Sequence, residues 1–393
     1  MSGMEEQYHA DQKLNMVYHD LLSQQAIGRP TKGKEVLVKV LMNTIFVFNV
    51  IRCGVIMWYP NLSQEDKLLL GNLMEELGYN NSRMFYMTAV AFGLVVIAFQ
   101  VVLELAEHRG NKDFLDDTFD LENKLREWNL TAEEQEEMKS RTAKLVVVCR
   151  LMAITGVSVT FLMLLIALIL RVNKAHTVTE VVIAGFWYLI ICLYVYRQTT
   201  VFFYTLIILF VSVGTINLRY LSLNQRVARI ATESDLTSFM DRHDEVTMSC
   251  RKYNQTFKWM LFSVNNLSTP AVSVCIYNVV YSDFPSQLDR INAMVFCFLV
   301  TTCTMMITFI PSGTTRNARS SYPALMSLMV KIRLHYHTRQ RLLTFCKRMS
   351  KDMAGEIGFS NGSQSVFTKL TALEFLLNLM GMWLMYAGMQ LGL

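Results

Sequence analysis

The stretch that decides how this chain is interpreted is residues 357–393, IGFSNGSQSVFTKLTALEFLLNLMGMWLMYAGMQLGL. Residues 358–365 are rich in Gly, Ser and Asn, which is typical of a turn. An apolar run follows at 370–389, and about 20 residues is the length that one helix needs to cross the hydrocarbon core of a bilayer. The stretch therefore predicts a terminal membrane helix.

The predicted terminal helix carries small and polar residues that a simple lipid anchor does not need. Gly381 and Gly388 are seven residues apart, so they share a face on which another helix or a narrow pore can approach the backbone. Glu374 and Asn378 also share a face, and Gln390 lies at the membrane exit. Because lipid cannot satisfy polar groups, these features favour a wet or packed interior. Two interpretations stay open: a pore-lining helix and a last packing helix.

The composition is that of a polytopic helical membrane protein. The 393 residues are 52% hydrophobic and 18% charged, against about 25% charged residues in soluble domains. Residues 1–34 are polar and lack an apolar core of sufficient length, so we expect no cleavable signal peptide. The net charge of +5 is spread over several loops, so no nucleic-acid partner is expected. Eight cysteines without a CxxC pair suggest neither a disulfide framework nor a zinc site.

Seven membrane spans are predicted, and only the fourth is ambiguous. The other six lie at about 36–59, 84–105, 145–170, 259–281, 291–310 and 370–389. The apolar tract at 181–220 has 40 residues, which is too long for one span. It contains either two crossing helices or an outer segment followed by one helix.

The distribution of Lys and Arg favours a single crossing at 181–220. With one crossing, alternate loops carry 28 and 6 basic residues, and the richer set faces the cytoplasm. We therefore expect an outer segment at 181–196, a fourth span at 198–218, a cytoplasmic N-terminus and an extracellular C-terminus. G-protein-coupled receptors have the opposite orientation.

The three inner segments are themselves predicted to be helical. Residues 107–144, 219–258 and 311–369 carry apolar residues at spacings of three and four beside many charges. The predicted organisation is an all-α membrane protein with a cytoplasmic N-terminal segment (1–34), six transmembrane helices (35–310), cytoplasmic anchor helices (311–369) and a last helix (370–393).

Enzymatic chemistry is not indicated. No GxSxG, Walker, HExxH or kinase pattern occurs. His335 and His337 are two residues apart and point to different faces of a helix, so they make a poor metal pair. The spans hold too few charges for a proton relay. We expect no catalytic residue, no metal and no cofactor.

The predicted topology, the Gly/Ser turn and the late Gln together resemble the arthropod gustatory and odorant receptor superfamily. The run IGFSNG at 357–362, continuing to 367–369, looks like the turn before the last helix of these receptors. Tyr386, Gln390 and Leu391 look like a degraded form of their signature, Thr-Tyr, five apolar residues, then Gln-Phe. No Thr precedes Tyr386, three residues separate it from Gln390, and Leu391 replaces Phe.

The resemblance implies a chemosensory receptor of the plasma membrane that is a tetrameric, ligand-gated, poorly selective cation channel passing Na, K and Ca. Four last helices would line the pore and the inner helices would hold the subunits together. By position, Gln390 would be the polar pore ring and Leu391 the apolar gate, with Ala387 beside them. Two alternatives stay open: a tuning subunit that conducts only in a heterotetramer with a co-receptor, and a non-conducting carrier or scaffold in membrane lipid.

The family's ligand pocket lies in the outer half of each subunit, among the second to sixth spans. Its aromatic and Met content suits a small apolar or amphipathic molecule, such as a tastant or odorant. Each candidate is alternatively an ordinary core residue. The candidates in this sequence are Tyr86, Phe92, Thr160, Met163, Trp187, Tyr188, Tyr204, Tyr277 and Phe296.

Overall fold

The computed structural model describes residues 33–59, 62–73, 82–108, 131–281, 287–350, 357–360, 366 and 368–391. Within these ranges the chain is helical apart from short connections and one isolated β-bridge between Ser360 and Val366. The all-α prediction is therefore confirmed. The helices are α1 (Gly33–Trp58), α2 (Gln64–Leu69), α3 (Ser82–His108), α4 (Ala132–Lys174), α5 (Val178–Val227), α6 (Glu233–Ser263), α7 (Thr269–Tyr281), α8 (Gln287–Arg319), α9 (Tyr322–Lys331), α10 (Tyr336–Met349) and α11 (Lys369–Leu391).

The ambiguous tract is one continuous helix, α5, of 50 residues. At about 1.5 Å per residue it is roughly 75 Å long, more than twice the thickness of a bilayer core. Our prediction of a break between an outer segment and a fourth span was wrong. Arg197, which we took as the boundary, is partly buried inside the bundle, where its Nη2 donates to Asn43 Oδ1 at 3.4 Å.

Two inner segments prove to be extensions of membrane helices. The helix α4 begins at a capping box, in which Thr131 Oγ1 accepts from the Glu134 N–H and the Glu134 carboxylate accepts from the Thr131 N–H. Thr232 and Asp235 form the same box at the start of α6. A π-helical turn, Val264–Ser268, joins α6 to α7. Residues 109–130 of the first predicted inner segment lie outside the described ranges.

Five stretches of the described chain are long and apolar enough to cross a membrane. Their outward faces carry large apolar side chains, such as Leu151 and Ile154 on α4, which are about two thirds exposed. Such a surface suits contact with lipid. These findings establish a membrane protein with several apolar helices. The five stretches are Val40–Trp58, Ala89–Ala106, Ala132–Lys174, Val178–Val227 and Cys297–Lys331.

The core is organised around α5, which packs against α1, α3, α4, α6 and α8. One large apolar cluster follows most of its length and includes the fully buried Phe99, Ile216 and Phe257. A smaller cluster around Leu164 and Ala184 fills the space between α1, α4 and the first turns of α5. Residues 191–203 of α5 line a cavity.

The predicted anchor segment consists of the last turns of α8 followed by α9 and α10. The helix α8 continues through Pro311 to Arg319, beyond the predicted span. The helix α10 buries Leu342 and Phe345, and its basic residues pair with acids of α6. Those pairs are Arg341 with Asp241, and Arg348 with Asp244 at 3.3 Å.

Candidate functional site

A cavity of about 140 Å³ lies within the bundle, between α1, α3, α4, α5 and α8. Its largest contribution comes from α5, where residues four apart present one face to the empty space. That face includes Tyr194, Gln198 and Phe202. Opposite it, Gly156 and Thr160 of α4 leave room because their side chains are small. A cavity of this kind suits one small, mostly apolar molecule.

Aromatic side chains form a rigid wall beside the cavity. Phe202 stacks on Phe99 with ring centroids 5.8 Å apart, and it meets the edges of Phe92 at 6.0 Å and Phe203 at 5.5 Å. Tyr194 stacks on Phe46 at 5.2 Å. Stacked and edge-to-face rings are each favourable by about 1 kcal/mol beyond their burial. The wall is thus held in one arrangement by its own contacts.

Three hydroxyl groups of the lining are hydrogen-bonded to other groups of the protein. The Tyr86 hydroxyl donates to Asn72 Oδ1 at 2.6 Å, and the Tyr194 hydroxyl donates to the Ala89 carbonyl at 3.2 Å. Thr160 Oγ1 donates to the Gly156 carbonyl at 2.8 Å, which leaves its oxygen free to accept.

A charged side chain, Arg52 of α1, also lines the cavity although it is only 4% exposed. Its guanidinium carbon lies 4.8 Å from the ring centroid of Trp187, in a cation–π contact. Trp187 is held by Phe48, which stacks on it at 6.0 Å, and by Gly71. A Cβ at Gly71 would overlap the indole, and its φ of +62° favours glycine.

The structure brings three of the nine sequence-predicted pocket residues to the cavity: Tyr86, Phe92 and Thr160. Met163 and Tyr188 belong to the smaller cluster, Tyr204 packs against the large one, and Trp187 lies behind Arg52. Tyr277 is buried and packs against Tyr281, with ring centroids 5.0 Å apart. The side chain of Phe296 lies outside what the structure describes.

Sequence reasoning missed Arg52, Tyr194, Gln198 and Phe202. For Arg52 a signal was present, because an ionisable residue within a predicted span usually marks a functional interior. Gln198 interrupts the apolar tract of α5 and carries a similar signal. Nothing in the sequence distinguishes Tyr194 and Phe202 from neighbouring aromatic residues that pack elsewhere.

The last helix, α11, contains Ala387, Gln390 and Leu391, whose side chains lie outside what the structure describes. One side of α11 packs against α7 and α8, where Leu379 is buried with Val272 and Val300. Its other side is exposed and apolar, and Glu374 and Asn378 are exposed as well. The exposed apolar side chains include Leu370, Leu373, Leu377, Met380, Leu384 and Met385.

Residues 357–360, the first part of the predicted IGFSNG turn, are held against α6 and α8. Thr315 Oγ1 donates to the Ile357 carbonyl at 3.2 Å, and the Ser360 N–H donates to Asn254 Oδ1 at 2.8 Å. Phe359 is fully buried. Gly358 has a φ of +136°, a backbone conformation that residues with a side chain rarely adopt. These contacts hold residues 357–360, which come shortly before α11, against α6 and α8.

Beside this turn, His243 of α6 is buried at the junction of α5, α8 and α10. Its Nε2 lies 3.0 Å from the Ala318 carbonyl of α8, and its ring meets Phe345 at 4.9 Å and Tyr220 at 5.1 Å. Burial disfavours the charged imidazolium and holds the pKa of His243 below its usual value. The neutral ring then donates from Nε2 to the carbonyl.

The geometry is that of a helical membrane protein with a largely apolar internal cavity, and its fold is that of the insect olfactory receptors. Two solved structures of the insect olfactory receptor OR5 from Machilis hrabei are similar to this chain. The structure in complex with eugenol has a TM-score of 0.70 at 10% identity, over 97% of this chain and 99% of that chain. A second OR5 structure has a TM-score of 0.67 at 12% identity, over 96% and 97%.

No protein-family model and no curated protein sequence match the chain. Since the identity to OR5 is 10–12%, the likeness is one of fold. The resemblance to the arthropod gustatory and odorant receptor superfamily, inferred from the sequence, is confirmed at that level.

Proposed function

We propose that this protein is a chemosensory receptor in which a small molecule, a tastant or an odorant, binds in the cavity and opens a non-selective cation channel. The observation that carries the proposal is the cavity itself, lined by five helices of a chain that has the olfactory-receptor fold. A receptor of that fold has been solved with eugenol, a small aromatic molecule. The aromatic wall around Phe202 suits ligands of the same chemical kind.

The channel part of the proposal places seven spans in the plasma membrane, with the N-terminus inside and the C-terminus outside. Four copies of α11 surround the pore, with Gln390 as the polar ring, Leu391 as the gate and Ala387 beside them. The exposed apolar side of α11 supports this arrangement, because a helix packed on one side only has a free face for sister helices. The inner helices α9 and α10 hold the subunits together.

Filling the cavity tests the ligand site. A Cβ at Gly156 has room, since its nearest neighbour outside the local backbone is Leu299 Cδ1 at 4.0 Å. A larger side chain extends into the empty space. We expect Gly156→Leu to reduce ligand sensitivity about tenfold or more while the protein still reaches the cell surface. The measurement is a dose–response curve of ligand-evoked current.

Gly185→Leu is the matched control, because a Cβ at Gly185 meets nothing within 4 Å and the residue lies outside the cavity. It introduces the same side chain into another helix of the bundle. Equal sensitivity in the two variants would show that the cavity is not the ligand site.

Substitutions in α11 test the pore. We expect Leu391→Ala to leak without ligand, because a smaller apolar ring admits water, and Gln390→Ala to change ion preference. Leu151→Ala, on the outward, lipid-facing side of α4, should alter neither property. Current from the chain expressed alone supports a homotetramer. Current that needs a second subunit supports the co-receptor alternative, and surface protein that conducts in neither case supports the carrier or scaffold.

A further inference from the structure

The lining of the cavity contains one charged residue that the aromatic wall does not explain, Arg52. Its Nε and Nη1 atoms are buried, and no described residue accepts a hydrogen bond from either atom. Among the described residues, no acidic side chain forms an ion pair with it. An arginine remains charged inside proteins. The cavity is therefore a mostly apolar space with Arg52 in its wall, and the described part of the chain supplies no anion to compensate this positive charge.

A buried charge without a partner is unfavourable, and residues of this kind within membrane helices usually serve a function. The surroundings hold the charge in place. Trp187 contacts the guanidinium through its ring face, and the indole is itself fixed by Phe48 and by the close approach of Gly71. The cation–π contact offsets part of the desolvation, but an aromatic face accepts no strong hydrogen bond from a buried N–H.

The missing partner is an anion of limited size. A carboxylate neutralises a guanidinium and accepts from it with charge-assisted hydrogen bonds, which are stronger than neutral ones. For comparison, an engineered apolar cavity of about 150 Å³ holds one benzene molecule. The cavity here has about 140 Å³ and is walled by phenylalanine and tyrosine rings. It fits one aromatic ring or a short chain bearing one carboxylate.

We propose that the cavity binds small organic acids as their anions, with Arg52 as the residue that recognises the carboxylate and the Phe202 wall as the surface that binds the apolar part. This inference rests on the proposed function only in taking the cavity as a ligand site. It is independent of whether the protein conducts ions.

The experiment measures thermal stabilisation of the purified full-length protein in detergent, because a ligand that binds the folded state raises the melting temperature. The probes are phenylacetate and phenylacetamide at pH 7.5, which have the same shape and differ in charge. Phenylacetate is expected to reach half its maximal stabilisation at a concentration about tenfold lower than phenylacetamide.

Three variants identify the charge responsible. Arg52→Met should abolish the preference for phenylacetate and leave phenylacetamide binding within about threefold. Arg52→Lys, which keeps the charge, should retain part of the preference. Arg197→Gln removes another arginine of the same bundle that does not line the cavity, and it should leave the preference unchanged. The variant Arg52→Met also removes an unpaired buried charge, so it should melt at or above the temperature of the unaltered protein.

Two results would overturn the inference while leaving the cavity as a ligand site. One is binding of phenylacetamide as tight as that of phenylacetate, and the other is a preference for phenylacetate that persists in Arg52→Met. Stabilisation by neither probe, together with an unaltered ligand response in Gly156→Leu, would instead refute the cavity as a binding site.

Discussion

Gly358 lies in the turn that precedes α11, and a methyl group added there should destabilise the protein strongly. Its φ of +136° is a conformation that costs a non-glycine residue about 1–3 kcal/mol. A Cβ would also overlap Thr315 Oγ1 and lie 2.5 Å from Val366 Cγ1. Relieving such a clash typically costs a further 1–3 kcal/mol. Displacing Thr315 also breaks its hydrogen bond to the Ile357 carbonyl, worth about 1 kcal/mol.

We therefore expect Gly358→Ala to lower the free energy of unfolding by roughly 3–7 kcal/mol, combining the backbone, overlap and hydrogen-bond contributions. Gly214→Ala is the matched control, because a Cβ at Gly214 in α5 meets nothing within 4 Å. Gly to Ala within a helix should stabilise by up to about 1 kcal/mol. Unfolding in mixed micelles under increasing SDS gives both values. Equal stability of the two variants would refute the argument that the turn is strained and tightly packed.

Two further predictions concern His243 and Gly71. Burial lowers the pKa of His243, so below about pH 6.5 the unfolded chain takes up a proton that the folded protein does not. The contribution of His243 to stability is therefore fully present above about pH 6.5. It falls as the pH decreases, by up to about 1.4 kcal/mol per pH unit, until the lowered pKa is reached. Melting temperatures between pH 7.5 and 5 should show a shallower fall in His243→Gln, and parallel curves would contradict this origin. Gly71→Ala should displace the Trp187 indole and lower the free energy of unfolding by about 1–3 kcal/mol. Thermal melting and tryptophan emission measure the two effects. An unchanged melting temperature together with an unchanged emission spectrum would contradict the close packing.

The helical class was predictable because long apolar segments and spacings of three and four are local properties of a sequence. The IGFSNG turn was also found, since glycine and small polar residues mark turns. The continuity of α5 was not predictable from the sequence in this way. The prediction left Arg197 at a boundary between two segments, whereas its side chain lies against Asn43 of α1. Which side of a helix a charge faces depends on tertiary neighbours that charge counting does not include.

The candidate site was predictable only in part for a related reason. Tyr86, Phe92 and Thr160 reach the cavity, but Trp187 has the same aromatic character and is occupied by Phe48, Arg52 and Gly71. A cavity is the space that side chains from several helices leave unfilled. Its lining depends on relative helix positions, which composition and spacing within one helix do not determine.

The unbroken length of α5 has a mechanical consequence. One part of this helix, from Ile191 to Phe203, borders the cavity. Further along the same helix, Tyr220 contacts His243 of α6. Ile191 and Tyr220 are about 43 Å apart along the axis at the usual rise per residue. A stiff rod of that length converts a tilt of about 2° at one end into a displacement of roughly 1.5 Å at the other. If a ligand binds in the cavity as proposed, a tilt of α5 by about 2° is enough to displace the region around Tyr220 by roughly 1.5 Å.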